Sequence, residues 1–454
     1  MSIETYNTLS RRIEEFKPIE EGKVNFFVCG PTVYDYAHIG NAKTYTQFDF
    51  IVKYLRYRDY NVFYLQNITD IDDKIIKRAQ KKGVSWKELA DQYTQIFMED
   101  MRSLGNDAVT EYARAIDYIP QIVEQVRTLE DKGFAYRTSD GIYFEISKFD
   151  EYGKLSRRTE VQETDGVSRI DASPEKRGWN DFCLWKFSKP GEPSWETEIG
   201  AGRPGWHIED TAITETFFGP QYDAHGGAVD LIFPHHEAEI AQMEAASGKS
   251  PLVRYWFHTG FLNMKDKKMS KSLGNFLTIR ETIQKSDARI LRFLFLSGHY
   301  RSSMDFNDEV LDQAKRSLKR IDEFIFGLDE SHEVAGEEHL VENLRQEVIS
   351  HLDSDFNTPR ALSAIFDYIK ERNQDGLAGK HTLKYFKEIN AFFGFLDLAK
   401  ELNDEEIERL VKLRDDYRKR KEYEKADEVK QTLIEKGIQL YDFNNETKWR
   451  RPKV

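Results

Sequence analysis

Three short stretches of this 454-residue chain carry side chains able to do chemistry. In "AHIGNAK", residues 37–43, Gly40 has no side chain, so a planar base could lie against the backbone. His38 and Asn41 would then occupy the first turn of a helix, where unpaired N–H groups and the helix dipole favour phosphate. In "KKMSKSLGN", residues 267–275, Lys268 and Lys271 on a glycine-containing loop can neutralise a triphosphate whose charge shifts during transfer. In "FPHHEAEIAQ", His235 and Glu239 are spaced i,i+4, so on a helix both project from one face. Imidazole, carboxylate and thiolate are ordinary zinc donors, and Cys29 is the natural third donor, at the carboxyl end of a neighbouring strand. Each stretch alone has a plainer reading: a helix start, a solvated lysine loop, a buried His–Glu hydrogen bond, a cysteine that only packs.

The elements that must position these groups are legible in the apolar pattern. "VNFFV" (24–28) predicts a short buried strand entering a Cys-Gly-Pro turn, and "NVFYLQ" (61–66) a second strand. A helix rich in Lys and Ile follows, and another begins at Ser85, with Glu88 completing a capping box. "AVDLIFPHHEAEIAQMEAASG" reads as strand, proline at a helix start, helix, and glycine just past its end. Strand and helix therefore alternate, which favours an α/β, doubly wound (Rossmann-like) domain with a parallel sheet. We expect residues 1–114 and 206–260 to form its two halves, with the irregular 115–205 as an insertion and 261–307 as the region of the lysine loop. Residues 308–400 predict a helical bundle, Leu311, Ala314, Leu318, Ile321 and Ile325 sharing one face, with acidic 329–339 as an exposed connection. Residues 401–454 predict a small C-terminal module, a charged helix followed by a short strand and turn.

Composition excludes several classes. No run of 18 uninterrupted apolar residues exists to span a membrane, and "MSIETYNTLSRRIEEF" has no apolar core for a signal peptide. Two cysteines, Cys29 and Cys183, make no disulfide framework and read as free thiols of a reducing, cytoplasmic setting. The net charge of −13 neither suggests nor forbids nucleic-acid binding, which depends on local stripes such as "MKDKKMSKS" and "KWRRPKV".

His-Ile-Gly near the first strand and Lys-Met-Ser-Lys-Ser after the last form an ordered pair that resembles the signatures of class I aminoacyl-tRNA synthetases. The longer set "CGPTVYDYAHIGNA", "NITDIDDKI", "GRPGWHIED", "GGAVDLIFPHHEAEIAQ" and "KMSKSLGN" is similar to the cysteinyl-tRNA synthetases. "DSDFNTPRAL" (353–362) and the tail "KADEVKQTLIEKGIQLYD" with "TKWRR" extend the likeness over nearly the whole chain. The forms "GWHIEDTAIT" and "HHEAEIAQME" look more like archaeal members.

The resemblance implies ATP-dependent activation of L-cysteine to cysteinyl-adenylate, then transfer to the 3′ end of tRNA(Cys), with magnesium accompanying ATP. His38, Gly40 and Asn41 would bind ATP, and Lys271, supported by Lys268, would stabilise charge on the β and γ phosphates. The family carries zinc on two cysteines, a histidine and a glutamate; Cys29, His235 and Glu239 match, and Asp210 stands where the second cysteine is usual. Asp210 is then either an oxygen donor to zinc or a capping or salt-bridging aspartate. Zinc prefers thiolate to a serine hydroxyl, so the metal would select cysteine where shape alone discriminates poorly. Trp206 would wall the amino-acid pocket, with Thr69 and Asp230 contacting polar groups of the substrate. In the C-terminal, anticodon-binding module, Trp449 is suited to stacking on an unpaired base, or to the module's own core, with Arg450 and Arg451 near phosphate. The family often has glycine shortly before this tryptophan, whereas Glu446 stands here. The family is commonly monomeric.

Two other readings compete: a ligase on the same fold that passes cysteine to a small-molecule amine, and a noncatalytic RNA-binding paralogue. Retention of the C-terminal module argues against the first, and the intact ATP signatures argue against the second.

Overall fold

The computed structural model describes residues 2–158, 173–264, 267–268, 276–329, 331–398, 405–443 and 446–450. Two compact units divide the chain: Met1–Leu311 with Ser350–Pro359, and Asp312–Ile349 with Arg360–Val454.

The first unit is built on a five-stranded, wholly parallel sheet. Its strands are β1 (Lys23–Val28), β2 (Asn61–Ile68), β3 (Glu111–Arg114), β4 (Tyr222–Ala228) and β5 (Val253–Thr259), in the spatial order β5-β4-β1-β2-β3. Phe26, Phe27 and Val28 are fully buried, as a parallel strand with both faces covered requires. The order turns back at β1, so the carboxyl ends of β1 and β4 flank a switch point, where open α/β sheets bind ligands. Helix α1 (Ile39–Tyr57) follows β1, and α2 (Ile208–Phe218) and α3 (Glu237–Ser247) flank β4 in sequence. Between β3 and β4 lie the helix Ile119–Asp131 and a four-stranded antiparallel sheet ending at Gly202–Pro204. Its core (Ile142, Phe144, Leu184, Trp185) is continuous with Ile208 and Ala212 of α2.

Two local expectations change. Ser85 caps its helix by accepting from Glu88 N at 3.0 Å, but no return bond from the Glu88 side chain accompanies it. Complete boxes stand, among the described residues, at His38/Asn41 and Thr278/Glu281. The helix that carries Glu239 starts at Glu237 rather than at the proline, because Phe233 before Pro234 is extended (φ −139°, ψ 133°), and a wider turn, Ile232–His236, intervenes.

In the second unit, helices including Lys380–Phe393 pack through Phe386, Ile389 and Phe393. The acidic connection is not wholly exposed: Glu337 is fully buried and accepts from Gly379 N at 2.5 Å and Thr382 N at 2.8 Å, at the start of that helix. Amides at a helix N-terminus are a ready partner for a carboxylate, which explains one acid turning inward. The chain closes with helices Glu405–Lys419 and Tyr423–Glu435 and an antiparallel hairpin, Gln439–Phe443 with Glu446–Arg450.

Candidate active site

Cys29 directly follows β1, its N–H donating to Gly226 O of β4 at 3.1 Å. Only glycine fits next in the chain, since a Cβ on Gly30 would lie 1.6 Å from Asn67 O of β2. A Cβ on Gly227 would likewise lie 2.7 Å from the His236 ring, so the bare backbone of β4 lets that imidazole approach the sheet end.

Around Cys29 the structure brings together the four predicted donors. One ligand atom each from Cys29, Asp210, His235 and Glu239 lies within 4.8 Å of all the others, and all four residues are buried. His235 Nε2 is 3.0 Å from Asp210 Oδ2 and 3.0 Å from Glu239 Oε1. The lost helical turn at Pro234 therefore does not part the i,i+4 pair. Asn67 Nδ2 donates to Asp210 Oδ1 at 2.5 Å and aims the carboxylate. Among the described residues Glu239 Oε2 has no hydrogen-bond partner, and His225 Nε2 approaches it only to 3.4 Å.

A second set of four, Cys29, His225, His236 and Glu239, shares two members with the first. His225 Nε2 and His236 Nε2 stand 3.3 and 3.2 Å from Cys29 Sγ. Tyr222 OH at 2.7 Å from His225 Nδ1, and His258 Nε2 at 2.8 Å from His236 Nδ1, set both rings. Sequence reasoning missed these two histidines, although "HGG" and the doubled "HH" were visible.

The electrostatics are those of a site short of positive charge. Burial, then Glu239 and Asp210, pushes the Cys29 thiol well up, and burial raises Glu239 to about 8. Burial opposes charge on His235, yet Glu239 and Asp210 outweigh it and lift the imidazole to about 9. Burial and neighbouring imidazoles keep His225 and His236 neutral. Thiolate, two carboxylates and imidazole, with one carboxylate oxygen unpartnered, fit a divalent ion of the zinc type.

This cluster forms one wall of a cavity of about 260 Å³ that is also lined by His38, Gly40, Asn41, Thr69, Trp206 and Asp230. Trp206 stacks on His235, ring centroids 4.3 Å apart and planes 14° from parallel, so the cavity wall also orients a candidate donor. Thr69 Oγ1 donates to Glu209 Oε2 at 2.9 Å and accepts from Asn67 Nδ2 at 3.4 Å, which fixes the hydroxyl at the cavity wall. Asp230 sits in the turn Val229–Leu231 just after β4.

His38 caps α1 rather than lying within its first turn. Its Nδ1 accepts from Asn41 N at 3.1 Å while Asn41 Oδ1 accepts from His38 N at 3.2 Å. With Nδ1 an acceptor, the neutral ring carries its proton on Nε2, a donor.

Lys268 pairs through its backbone with Asn263; its side chain, and Lys271 altogether, lie outside the described residues. Trp449 packs against Ile407, Val411, Leu433 and Ile438 of the C-terminal module, opposite Leu440 in the hairpin. The side chain of Arg450 and all of Arg451 lie outside the described residues.

Comparison with known proteins names the architecture. The model for the tRNA synthetase class I (C) catalytic domain matches residues 15–316, and that for the DALR domain residues 347–397. The Cysteine--tRNA ligase of Thermococcus gammatolerans is 43% identical over 481 residues, covering 100% of both chains. That of Clostridioides difficile is 43% identical, covering 99% of this chain and 100% of its own. The chain belongs to the cysteine--tRNA ligase family. Members of this family are aminoacyl-tRNA ligases, and the parallel sheet with its helical DALR domain is the family's α/β architecture. The fold extends to the methionyl-tRNA synthetase of Mycobacterium tuberculosis (17% identity, TM-score 0.58, covering 83% of this chain and 88% of that one). Agrobacterium radiobacter K84 LeuRS is similar in fold too (10% identity, TM-score 0.61, covering 84% and 85%). Among the described residues of this cysteine--tRNA ligase family member, no helix is long and apolar enough to cross a membrane.

Proposed function

We propose that the chain activates L-cysteine with ATP and magnesium and transfers it to the 3′ end of tRNA(Cys), selecting the amino acid by its thiolate. The observation that carries this reading is the buried Cys29–Asp210–His235–Glu239 cluster opening on a cavity whose other wall is the His38–Asn41 cap.

Cys29, Asp210, His235 and Glu239 would hold the zinc ion. When bound there, zinc supplies a soft Lewis-acidic position that takes a thiolate readily and a serine hydroxyl poorly. Trp206 and Thr69 confine the amino acid beside this cluster, and Asp230 offers a carboxylate to its ammonium. His38, through Nε2–H, and Asn41 hold phosphate at the mouth of α1, with Gly40 leaving room for the base. Lys271, with Lys268, stabilises the negative charge that grows on the departing pyrophosphate as the cysteine carboxylate attacks the α-phosphate. No side chain has to act as nucleophile, so orientation and fixed charge supply the rate. A ribose hydroxyl at the tRNA 3′ end then attacks the acyl carbon and releases AMP.

Residues 1–114 and 206–260 serve as the catalytic halves, 115–205 as the insertion, 261–307 as the lysine-loop region, 308–400 as the bundle and 401–454 as the anticodon module. Trp449, Arg450 and Arg451 would contact the anticodon. We take the working form as a cytoplasmic monomer.

The test is charging of a tRNA(Cys) transcript with radiolabelled cysteine. Cysteinyl-tRNA formation supports the proposal. Cysteine activation without transfer to tRNA favours the small-molecule ligase, and absence of both favours an RNA-binding paralogue.

A further inference from the structure

Helix α1 buries a cation that the chemistry above does not use. Lys43 has no exposed surface, and among the described residues no carboxylate pairs with it. Its Nζ donates to Gln47 Oε1 one turn along the helix at 3.0 Å and to the carbonyl of Gly260 at 2.8 Å. Gln47 is itself held, donating through Nε2 to Phe295 O at 3.1 Å. Burial pulls the Lys43 ammonium down to about 7. An apolar side chain of equal length would fill this slot without that desolvation cost, so the cation matters for what it grips.

Gly260 is the first residue after β5, and it begins the stretch that leads through Leu262–Met264 to Lys268. Leu262–Met264 pairs with Met304–Asp305 on one side and with Lys267–Lys268 on the other. Thr44 reinforces the grip, its hydroxyl 2.9 Å from that of Thr259. Gly260 N donates to Tyr300 O at 2.9 Å, and a Cβ on Gly260 would lie 2.4 Å from the Ser302 backbone, so this point of the chain is closely packed. The far end of the same stretch returns to α1: Ile39 N donates to Leu277 O, and Ile279 N to Ala37 O, each at 3.1 Å. The first turns of α1 thus hold residue 260 at one end and residues 277–279 at the other.

We infer that Lys43 is a positioning residue, which sets the spacing between the His38–Asn41 phosphate site and the strand that presents Lys268. This rests on the proposed ATP chemistry, in which cations from one side and the α1 cap from the other must meet one triphosphate. Displacing such a group by about 1 Å costs about 10²-fold in rate. Lys43 touches no reacting atom; it acts through Gly260.

The test is cysteine-dependent ATP–pyrophosphate exchange by the full-length metal-loaded enzyme carrying Lys43→Met or Lys43→Arg, with active sites counted by the adenylate burst. Lys43→Met is expected to lower kcat per active site about 10²-fold with little change in KM for cysteine, while Lys43→Arg, which keeps a cationic donor, recovers much of the loss. Unchanged turnover per active site in Lys43→Met overturns the inference, even if the number of active sites falls. Equal loss in Lys43→Arg and Lys43→Met overturns it also, because packing alone would then account for both. Absence of cysteine-dependent exchange in the wild-type enzyme overturns the reading beneath it and the inference together.

Discussion

Asp210 Oδ2 lies 3.0 Å from His235 Nε2, so in the proposed metal site an oxygen donor faces the imidazole where the family resemblance implies a second sulfur. Thiolate is the softer ligand and the stronger one for zinc. Asp210→Cys is therefore expected to slow metal release to a chelator while cysteine charging persists. Asp210→Ala should speed release. Release followed with a chromogenic chelator checks both.

Cys29 is the only sulfur in this donor cluster. Cys29→Ser is expected to lower bound metal below one per chain. Its preference for cysteine over serine should collapse toward the roughly 10²-fold or less that shape selection alone achieves. Metal analysis paired with exchange rates for the two amino acids reads this directly.

In the proposed chemistry, Lys271→Ala removes the cation that stabilises the developing pyrophosphate. By analogy with other preorganised donors, exchange is expected to slow about 10²–10³-fold. Affinity for cysteine should stay near wild type, since the proposed amino-acid contacts are Trp206, Thr69 and Asp230.

Trp449 both packs in the C-terminal module and is offered for stacking on an anticodon base. Trp449→Phe keeps an aromatic face, and Trp449→Ala does not. The alanine variant should lose about 1–3 kcal/mol of tRNA binding, with cysteine activation unchanged and the phenylalanine variant intermediate. Exchange and charging assays on the same preparations separate the two effects.

The Lys43 ammonium also makes a pH prediction. Its folded value is near 7, below the ordinary 10.5, so between those values the unfolded chain binds more protons than the native one. The penalty for burying the charge is full below pH 7 and fades as pH rises toward 10.5. Wild type should therefore gain stability relative to Lys43→Met across that window, read as the difference in Tm at several pH values. His299 is a titratable neighbour, pulled down chiefly by burial, opposed by Asp355, and lowered by Arg301 and least by Lys43.

Much of the site was legible because its signals are local. His235 and Glu239 met as their spacing required, and Cys29 reached them because a donor at the end of β1 faces the end of β4. The order of motifs along the chain supplied Asp210, which no periodicity would have selected. Contacts that depend on distant backbone were not legible. The approach of His225 and His236 to Cys29 follows from a bare backbone at Gly227, and a paired histidine in sequence carries no direction. Lys43 closes the "AHIGNAK" stretch with nothing local to assign it a role, and its backbone acceptor, Gly260, lies 217 positions away. Glu337 lay in an acidic run that looked solvated, and only the open amides of a following helix turned it inward.

The central claim is that a metal on Cys29, Asp210, His235 and Glu239 selects the thiol, and ATP–pyrophosphate exchange before and after removal of the metal tests it most directly. The account predicts that the chelator-stripped enzyme loses cysteine-dependent exchange and that zinc restores it, with serine a poor substrate throughout. A stripped enzyme that still activates cysteine at the full rate, and still rejects serine, would contradict it.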